Sequence, residues 1–322
     1  MAGLVPAIHA LLSEKDVDAR DKRGHDGGAD WSYRGLISGT VGSKTEGSTI
    51  RRVMNIVPNP RSGLLLGFLP FVLIAAIYLV ASAERRAVNP NDKLLPPAAE
   101  MADTVRRLAT EPDRRTEEIV LWTDTAASLQ RLAIGLGVAT LIGLTFGLAL
   151  GVLPMIDATL GTLVAVISMI PPMAVLPILF IVFGLGELSK VVLIVFGVAP
   201  FLIRDTALAV AGLPKEQMIK AQSLGASTWQ VAIRVVLPQI MPRLIEAVRL
   251  SLGPAFLFLI SAEAIAADVG LGYRIFLMRR YLAMDVILPY VAWITLLSYA
   301  MDYALAQLAR RGCSWAYVEE RR

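Results

Sequence analysis

The sequence predicts an all-α protein that crosses a membrane several times. Of its 322 residues, 55% are hydrophobic and 18% are charged, and the mean hydropathy of +0.60 is too high for an ordinary soluble domain. The apolar residues gather in long stretches rather than in short alternating runs. A stretch of about 20 apolar residues can cross the hydrocarbon as a helix, because a helix satisfies its own backbone hydrogen bonds. We therefore expect a bundle of about six membrane-spanning helices.

Composition also removes several functional classes. Cys313 is the only cysteine, so neither an intrachain disulfide nor a thiolate metal cluster can form. Both histidines, His9 and His25, precede the first apolar stretch, which leaves no imidazole for a metal site or proton relay in the membrane. No catalytic residue, metal or cofactor is therefore expected on this chain, and it is not expected to be an enzyme. The charge of +4 is not arranged as a basic stripe with interleaved aromatics, so no nucleic-acid partner is expected.

The chain divides into two tails and a membrane domain. Residues 1–60 mix glycine, serine and charged residues without periodicity, which is typical of a disordered or weakly ordered tail, expected in the cytoplasm. The membrane domain is expected over residues 61–312, and a short cytoplasmic tail over 313–322. The opening residues lack the basic segment of a cleavable signal peptide, and Met54 is an alternative start.

Charges beside the apolar stretches predict the topology. Arg51, Arg52 and Arg61 precede the first stretch, and Arg310 and Arg311 follow the last. Because basic residues accumulate on the cytoplasmic side, both termini are expected there, and an even number of spans agrees. The expected spans are 63–83, 129–153, 160–183, 188–202, 244–267 and 286–308.

The longest loop on the predicted cytoplasmic side, about residues 204–242, carries a polar segment with helix signals. Gly225 can adopt the positive φ that ends a helix, and Ser227 and Gln230 have the spacing of a capping box. Apolar residues then recur from Trp229 to Leu237 at helical spacing, which predicts one apolar stripe. The segment is interpreted as a docking element for another protein, and a helix resting on the lipid surface is the alternative.

The same segment carries a family motif. Gly225 is followed, nine residues on, by Val235-Val236-Leu237-Pro238, and Ala221 precedes it in the triplet Ile219-Lys220-Ala221. In this spacing the chain resembles the permease subunits of binding-protein-dependent ATP-binding-cassette (ABC) importers, whose loop reads Glu-Ala-Ala, three residues, Gly, nine residues, Ile-x-Leu-Pro. Further blocks resemble the nitrate/sulfonate/taurine group of that family: Ser128-Leu129-Gln130-Arg131, Ile170-Pro171-Pro172, Phe183-Gly184-Leu185-Gly186-Glu187, Leu224-Gly225-Ala226-Ser227 and Gly270-Leu271-Gly272.

The resemblance implies a type I ABC importer permease bundle in a bacterial inner membrane. Its implied partners are two ATPase subunits, a second permease copy and an external solute-binding protein, so ATP hydrolysis would take place on a separate chain. The implied cargo is a small polar solute such as nitrate, taurine or another sulfonate, while a related small ion or an amide stays open. The implied ATPase-coupling residues are Ala221, Leu224, Gly225, Ala226, Ser227, Trp229, Val235, Leu237 and Pro238.

Small residues recur at every fourth position of the second span. They lie on one helix face and predict close packing against another helix, as small-xxx-small patterns do in membranes. These residues are Gly135, Ala139, Gly143, Gly147 and Gly151.

The third span is interrupted in its middle. Prolines break the hydrogen-bond ladder and free carbonyl groups, which membranes tolerate only beside protein or a cavity. The break is therefore a candidate part of the translocation path, and a simple proline kink is the alternative. The candidate path residues are Ser168, Met169, Pro171, Pro172 and Met173, together with Glu263.

Two charges lie inside the apolar spans at the same predicted depth. Arg131 is near the outer end of the second span and Glu263 near the outer end of the fifth. Because an unpaired charge in hydrocarbon is costly, we hypothesise that the two form an ion pair. In the alternative, one of them contacts a charged substrate. The following segment, 268–274, is expected to be an outer loop whose Arg274 faces water.

A secondary transporter driven by an ion gradient is the main alternative function. The spans show no obvious inverted repeat and no chain of carboxylates for ion coupling. An ATP-driven importer permease is therefore the favoured interpretation.

Overall fold

The structure is a computed structural model, and its description covers residues 59–89, 93–113 and 117–317. Within these ranges the regular elements are all helices. The expected N-terminal tail lies almost entirely outside the described residues. Of the expected C-terminal tail, the described part holds the buried Cys313 and a single 3₁₀ turn over Ser314–Tyr317.

Five helices in the described ranges are long and apolar enough to cross a membrane. A bent pair, α4 and α5, makes a sixth crossing if it is one span. The predicted all-α, polytopic fold class is thus confirmed. The long helices are α1 (Pro60–Val88), α3 (Val120–Val152), α6 (Glu187–Ala211), α8 (Thr228–Ala266) and α10 (Met284–Gly312). The bent pair is α4 (Pro154–Ile167) and α5 (Pro172–Phe183), and the short helices are α2 (Ala98–Thr110), α7 (Lys215–Ser223) and α9 (Leu271–Arg279).

The predicted loop over residues 204–242 is mostly helical. Helix α6 continues to Ala211 and α8 begins at Thr228, so only residues 212–227, including α7, lie between the two spans. Arg204 and Asp205 lie inside α6, where Arg204 contacts Ser168 at the break between α4 and α5 and Asp205 contacts Arg243 of α8.

Helices α3 and α6 form the tightest seam of the bundle. The predicted small-residue stripe of α3 faces α6 along its whole length, and Ala139 within it is fully buried. A Cβ atom added to Gly143 would lie 2.5 Å from Leu202 Cβ, and one added to Gly147 would lie 2.5 Å from Thr206 Cβ. Gly135 and Gly151 meet α6 in the same way, at Ile194 and Val210. Only residues without a larger side chain allow this approach.

Helix α8 packs on the other side of α6 and completes the core. Leu252, Ala255 and Leu259 are buried there, and the ring of Phe258 lies directly over Gly197 of α6. Helices α3, α6 and α10 run in one direction and α8 runs in the other. The first residues of α3, α6 and α10 and the last residues of α8 therefore lie at one end of the bundle. Helix α7 lies at the opposite end.

Helix α1 stands apart from this core. Its apolar side chains are exposed all around the helix, as in Phe71 and Ile74, which suits contact with lipid. It is fixed to the segment before α2 by two hydrogen bonds. Tyr78 Oη donates to the carbonyl of Pro96 at 2.6 Å, and Ser82 Oγ donates to that of Leu95 at 2.9 Å.

Candidate coupling segment, polar network and translocation path

Helix α7 ends in a Schellman motif built on Gly225. The Gly225 N–H donates to the carbonyl of Gln222 at 2.9 Å, and the Ala226 N–H donates to that of Ala221 at 3.1 Å. Gly225 takes a φ of +82°, a conformation in which a side chain is strained. This glycine therefore sets the sharp turn from α7 into α8.

Helix α8 begins with the capping box that the sequence predicts. Ser227 Oγ accepts from the Gln230 N–H at 3.3 Å, and Gln230 Oε1 accepts from the Ser227 N–H at 2.9 Å. The turn is thus fixed on both sides, by the Schellman motif before it and the capping box after it.

The apolar residues of this elbow are divided between core and surface. Leu224 is 88% exposed and Trp229 is 72% exposed, whereas Val236 is fully buried beside Val210. The predicted single stripe from Trp229 to Leu237 is therefore wrong. A π-helical turn over Val231–Val236 has more residues per turn than an α-helix, and it rotates Trp229 away from the buried face.

The other coupling residues frame this surface. Ala221, Ala226, Val235 and Leu237 are half-buried, whereas Ser227 and Pro238 are exposed. Pro238 lies inside α8 and does not end it. The result is a rigid elbow at one end of the bundle that presents several large apolar side chains, Leu224 and Trp229 among them, on a largely polar surface.

At the opposite end, the structure brings Arg131 and Glu263 together. Arg131 Nη1 donates to Glu263 Oε1 at 2.6 Å, and the carboxylate is fully buried. Ser128 Oγ donates to the same carboxylate at 2.8 Å, and the Gly272 N–H donates to it at 2.8 Å. Such a completely bonded carboxylate can stay charged inside a membrane protein.

Arg131 has a second acidic partner that the sequence did not indicate. Its guanidinium forms a two-pronged contact with the carboxylate of Glu187, the first residue of α6. Glu187 also accepts from Lys190 Nζ at 2.8 Å. The network therefore joins α3, α6 and α8 and contains two cations and two anions.

The chain passes closely over this network between α8 and α9. Gly270 has a φ of +142°, and a Cβ added to it would lie 2.6 Å from the Glu263 carboxyl carbon. Its N–H donates to Asp124 Oδ1 at 3.0 Å, and the Leu271 N–H donates to Ser128 Oγ at 2.8 Å. Only glycine fits here, because both the conformation and the space exclude a side chain.

Arg274 was expected to face water, and the structure shows that it does not. Residues 271–279 form α9 rather than a loop, and Arg274 Nε donates to the buried Asp124 at 2.8 Å. Tyr290 Oη donates to the same carboxylate at 3.0 Å. Burial disfavours the charged guanidinium, but the hydrogen bond and the charge of Asp124 outweigh it and raise the pKa of Arg274.

The broken third span has a larger bend than a proline kink. Helices α4 and α5 meet at 94°, because Pro171 and Pro172 supply no N–H to continue the ladder and Pro172 starts a new helix. At the break, Met169 is 75% exposed and Met173 is 38% exposed, and Ser168 is half-buried. The structure does not bring Glu263 to this place, since its carboxylate belongs to the buried network.

A cavity of about 390 Å³ lies beside the break. It is lined by Ser168, which follows α4, by Pro172, the first residue of α5, and by Arg204 and Asp205 of α6. Arg204 Nη1 donates to Ser168 Oγ at 2.9 Å. The break therefore opens beside polar groups as well as apolar ones.

Residues 139–311 match a family described as the binding-protein-dependent transport system inner membrane component. The chain belongs to this family. It is thus an inner-membrane permease subunit of an ABC importer, and the predicted family and function class are confirmed. The secondary-transporter alternative is not supported.

Curated relatives agree with this membership, and a solved structure has a similar fold. The permease is 35% identical over 202 residues to the taurine transport system permease protein TauC of Escherichia coli (strain K12), covering 62% of this chain and 72% of TauC. It is 28% identical over 222 residues to the nitrate import permease protein NrtB of Synechococcus elongatus, covering 68% and 78% of the two chains. The fold is similar to that of the inward-facing MetNI methionine ABC transporter, with a TM-score of 0.51, 21% identity and coverage of 67% and 99%.

Three family-like blocks of the permease meet in the polar network. Ser128 and Arg131 come from the first, Glu187 from the second, and Gly270 with Gly272 from the third. Of the residues in this network, only Arg131 and Glu263 were predicted from the sequence to share a site. The charged or small polar residues within the blocks were the signal that could have located the network.

Proposed function

We propose that this permease imports a small polar solute delivered by an external binding protein. The relatives support taurine, another sulfonate or nitrate as the solute, because these are the solutes for which they are named. A related small ion or an amide is the alternative solute.

The elbow between α7 and α8 is proposed to dock on an ATPase subunit. The observation that carries this assignment is the exposure of Leu224 and Trp229 on a backbone fixed by the Gly225 turn. Large apolar side chains on a rigid, otherwise polar surface are typical anchors of protein interfaces. A rigid elbow also suits coupling, because ATPase movements then shift α8 as one body.

Two further parts of the assembly belong to the same proposal. A second copy of the permease would complete the translocation path, and exposed apolar side chains of α5 such as Ile181 support such a contact. The elbow would lie in the cytoplasm with both termini. The polar network would then lie at the outer face, where the binding protein delivers its solute.

Purification from the native host in mild detergent tests the docking assignment. We expect an ATPase subunit to copurify in a stoichiometric amount, and Trp229→Ser to remove it while the permease stays folded. Trp315→Ser is the matched control, because Trp315 is 55% exposed outside the elbow and is expected to leave the complex intact. Equal ATPase retention in wild type and Trp229→Ser would contradict the assignment.

A further inference from the structure

Arg204 is a cation within a membrane span that lacks an acidic partner. It lies about 26 Å along α6 from Glu187, at the rise of an α-helix. Its side chain contacts the Ser168 hydroxyl, and no ion pair to it occurs in residues 59–89, 93–113 and 117–317. Charged residues in spans normally find a partner or mark a path for polar solutes.

Ser168 holds this guanidinium over the break between α4 and α5. Its hydroxyl donates to the carbonyl of Ala165 at 2.7 Å and accepts from Arg204 Nη1 at 2.9 Å. Both roles of the hydroxyl are therefore used within the protein, and its proton does not point into the cavity. The remaining N–H groups of Arg204 are available to a ligand.

The cavity beside Arg204 carries a positive field. Asp205 also lines it, but Arg243 binds both of its carboxylate oxygens, at 2.6 and 3.0 Å. Helix α5 begins at Pro172 on the cavity wall, so the positive end of its dipole is directed to the same space. Arg204 is thus the unneutralised charge of the cavity, and a helix end reinforces it.

The volume suits a small solute. Water occupies roughly 30 Å³ per molecule in the liquid, so the 390 Å³ cavity holds on the order of a dozen water-sized groups. Phe196, Phe201 and Phe258 contribute apolar walls, and Arg204 itself is exposed, so a solute in the cavity can reach its guanidinium.

We propose that Arg204 binds the anionic group of the transported solute, a sulfonate or nitrate oxyanion, and that Ser168 positions it for this contact. The inference rests on the proposed function and assigns a solute contact within the permease itself. A planar guanidinium suits an oxyanion because it donates parallel hydrogen bonds to two oxygens. A single arginine also binds weakly enough to release the solute, as passage requires.

The test is uptake of taurine and of nitrate by the complete transporter in proteoliposomes, with ATP hydrolysis stimulated by the binding protein measured in parallel. We expect Arg204→Ala to lower uptake of the transported anion about tenfold, the loss expected for a charge-assisted hydrogen bond. Stimulated ATP hydrolysis should stay within about twofold of wild type, because Arg204 lies outside the α7–α8 elbow. Arg204→Lys should retain part of the uptake, since it keeps the charge and loses the planar fork.

Ser168 and a surface arginine complete the comparison. Ser168→Ala should lower uptake less than Arg204→Ala does. Ser168→Thr keeps the hydroxyl and should retain wild-type uptake. Arg310→Ala removes an exposed arginine at the same end of the bundle and should transport like wild type.

Two results would overturn the site. The first is wild-type uptake by Arg204→Ala, and the second is a loss of stimulated ATP hydrolysis in proportion to uptake, which would make Arg204 a structural or coupling residue. A wild-type complex that hydrolyses ATP but moves neither anion contradicts the proposed solute class and this site with it. A wild-type chain that associates with no ATPase contradicts the proposed function independently of Arg204.

Discussion

Arg131 Nη1 of α3 lies 2.6 Å from Glu263 Oε1 of α8, and each of the two side chains also has other polar partners. Glu263 also accepts from the Ser128 hydroxyl and the Gly272 N–H, while Arg131 also binds Glu187. Donors therefore surround the Glu263 position and an acid faces the Arg131 position. The surroundings therefore favour an anion at position 263 and a cation at position 131, and not the reverse.

This polarity predicts that exchanging the two charges does not restore the protein. In the double variant Arg131→Glu/Glu263→Arg, the new arginine faces the Gly272 N–H and the new glutamate faces Glu187, so both positions are repelled. We expect the double variant to unfold as readily as either single one, measured as the thermal midpoint in detergent and the yield of monodisperse protein. A double variant that regains wild-type stability would show that the pair acts in isolation.

A milder substitution gives the scale of the network. Glu263→Gln leaves the buried Arg131 with one acidic partner. We expect it to lower the free energy of unfolding, measured by denaturation in detergent, by about 3 kcal/mol, the low end for breaking a buried ion pair. Glu246→Gln is the control, because Glu246 is 41% exposed and Arg249 keeps Asp302 as a partner. Exposed pairs contribute about 1 kcal/mol or less, so this control should unfold close to wild type.

The seam between α3 and α6 predicts opposite effects for two glycines of one helix. A Cβ at Gly147 meets Thr206 and the Ile203 carbonyl, whereas a Cβ at Gly137 meets nothing within 4 Å. We expect Gly147→Ala to lower the thermal midpoint and Gly137→Ala to leave it unchanged or raise it, since alanine favours a helix by up to about 1 kcal/mol over glycine. The same small loss in both variants would mean that the seam is not closely packed.

The spans and the small-residue stripe could be predicted because their signals are local. The length of an apolar stretch identifies a span, and spacing of four residues places Gly143 and Gly147 on one helix face whatever packs against it. The partner helix was not predictable, because nothing within α3 specifies that Leu202 and Thr206 of α6 cover that face.

The polar network and the neighbouring Arg274–Asp124 pair show the opposite case. From the sequence, Glu187 is predicted to lie in a loop because it follows Gly184 and Gly186. Arg274 is predicted to be exposed because it lies just beyond an apolar span. Each gains its role from a residue far along the chain, Arg131 and Asp124 respectively, which single-sequence periodicity cannot link. Register was the other limit, because the π-helical turn that exposes Trp229 and buries Val236 has no pattern of its own in the sequence.

The proposed orientation can be read from cysteine labelling in intact spheroplasts. The native Cys313 is buried, so the background reaction with a membrane-impermeant maleimide should be low. We expect Arg280→Cys, exposed just after α9, to react, and Thr228→Cys, exposed at the start of α8, to react only after the membrane is permeabilised. The reverse pattern would place the elbow outside and contradict its docking to an ATPase.

The Gly225 turn separates a conformational cause from a steric one. A Cβ added at this position meets nothing within 4 Å, so we assign the cost of a substitution there to the φ of +82°. A β-branched residue is strained there by about 1–2 kcal/mol, whereas asparagine tolerates the left-handed region. We therefore expect Gly225→Val to lose the copurifying ATPase while it still inserts into the membrane, and Gly225→Asn to keep it. If both variants bind the ATPase like wild type, the elbow is not the coupling element; if both lose it, the position makes a direct contact that has room for glycine alone.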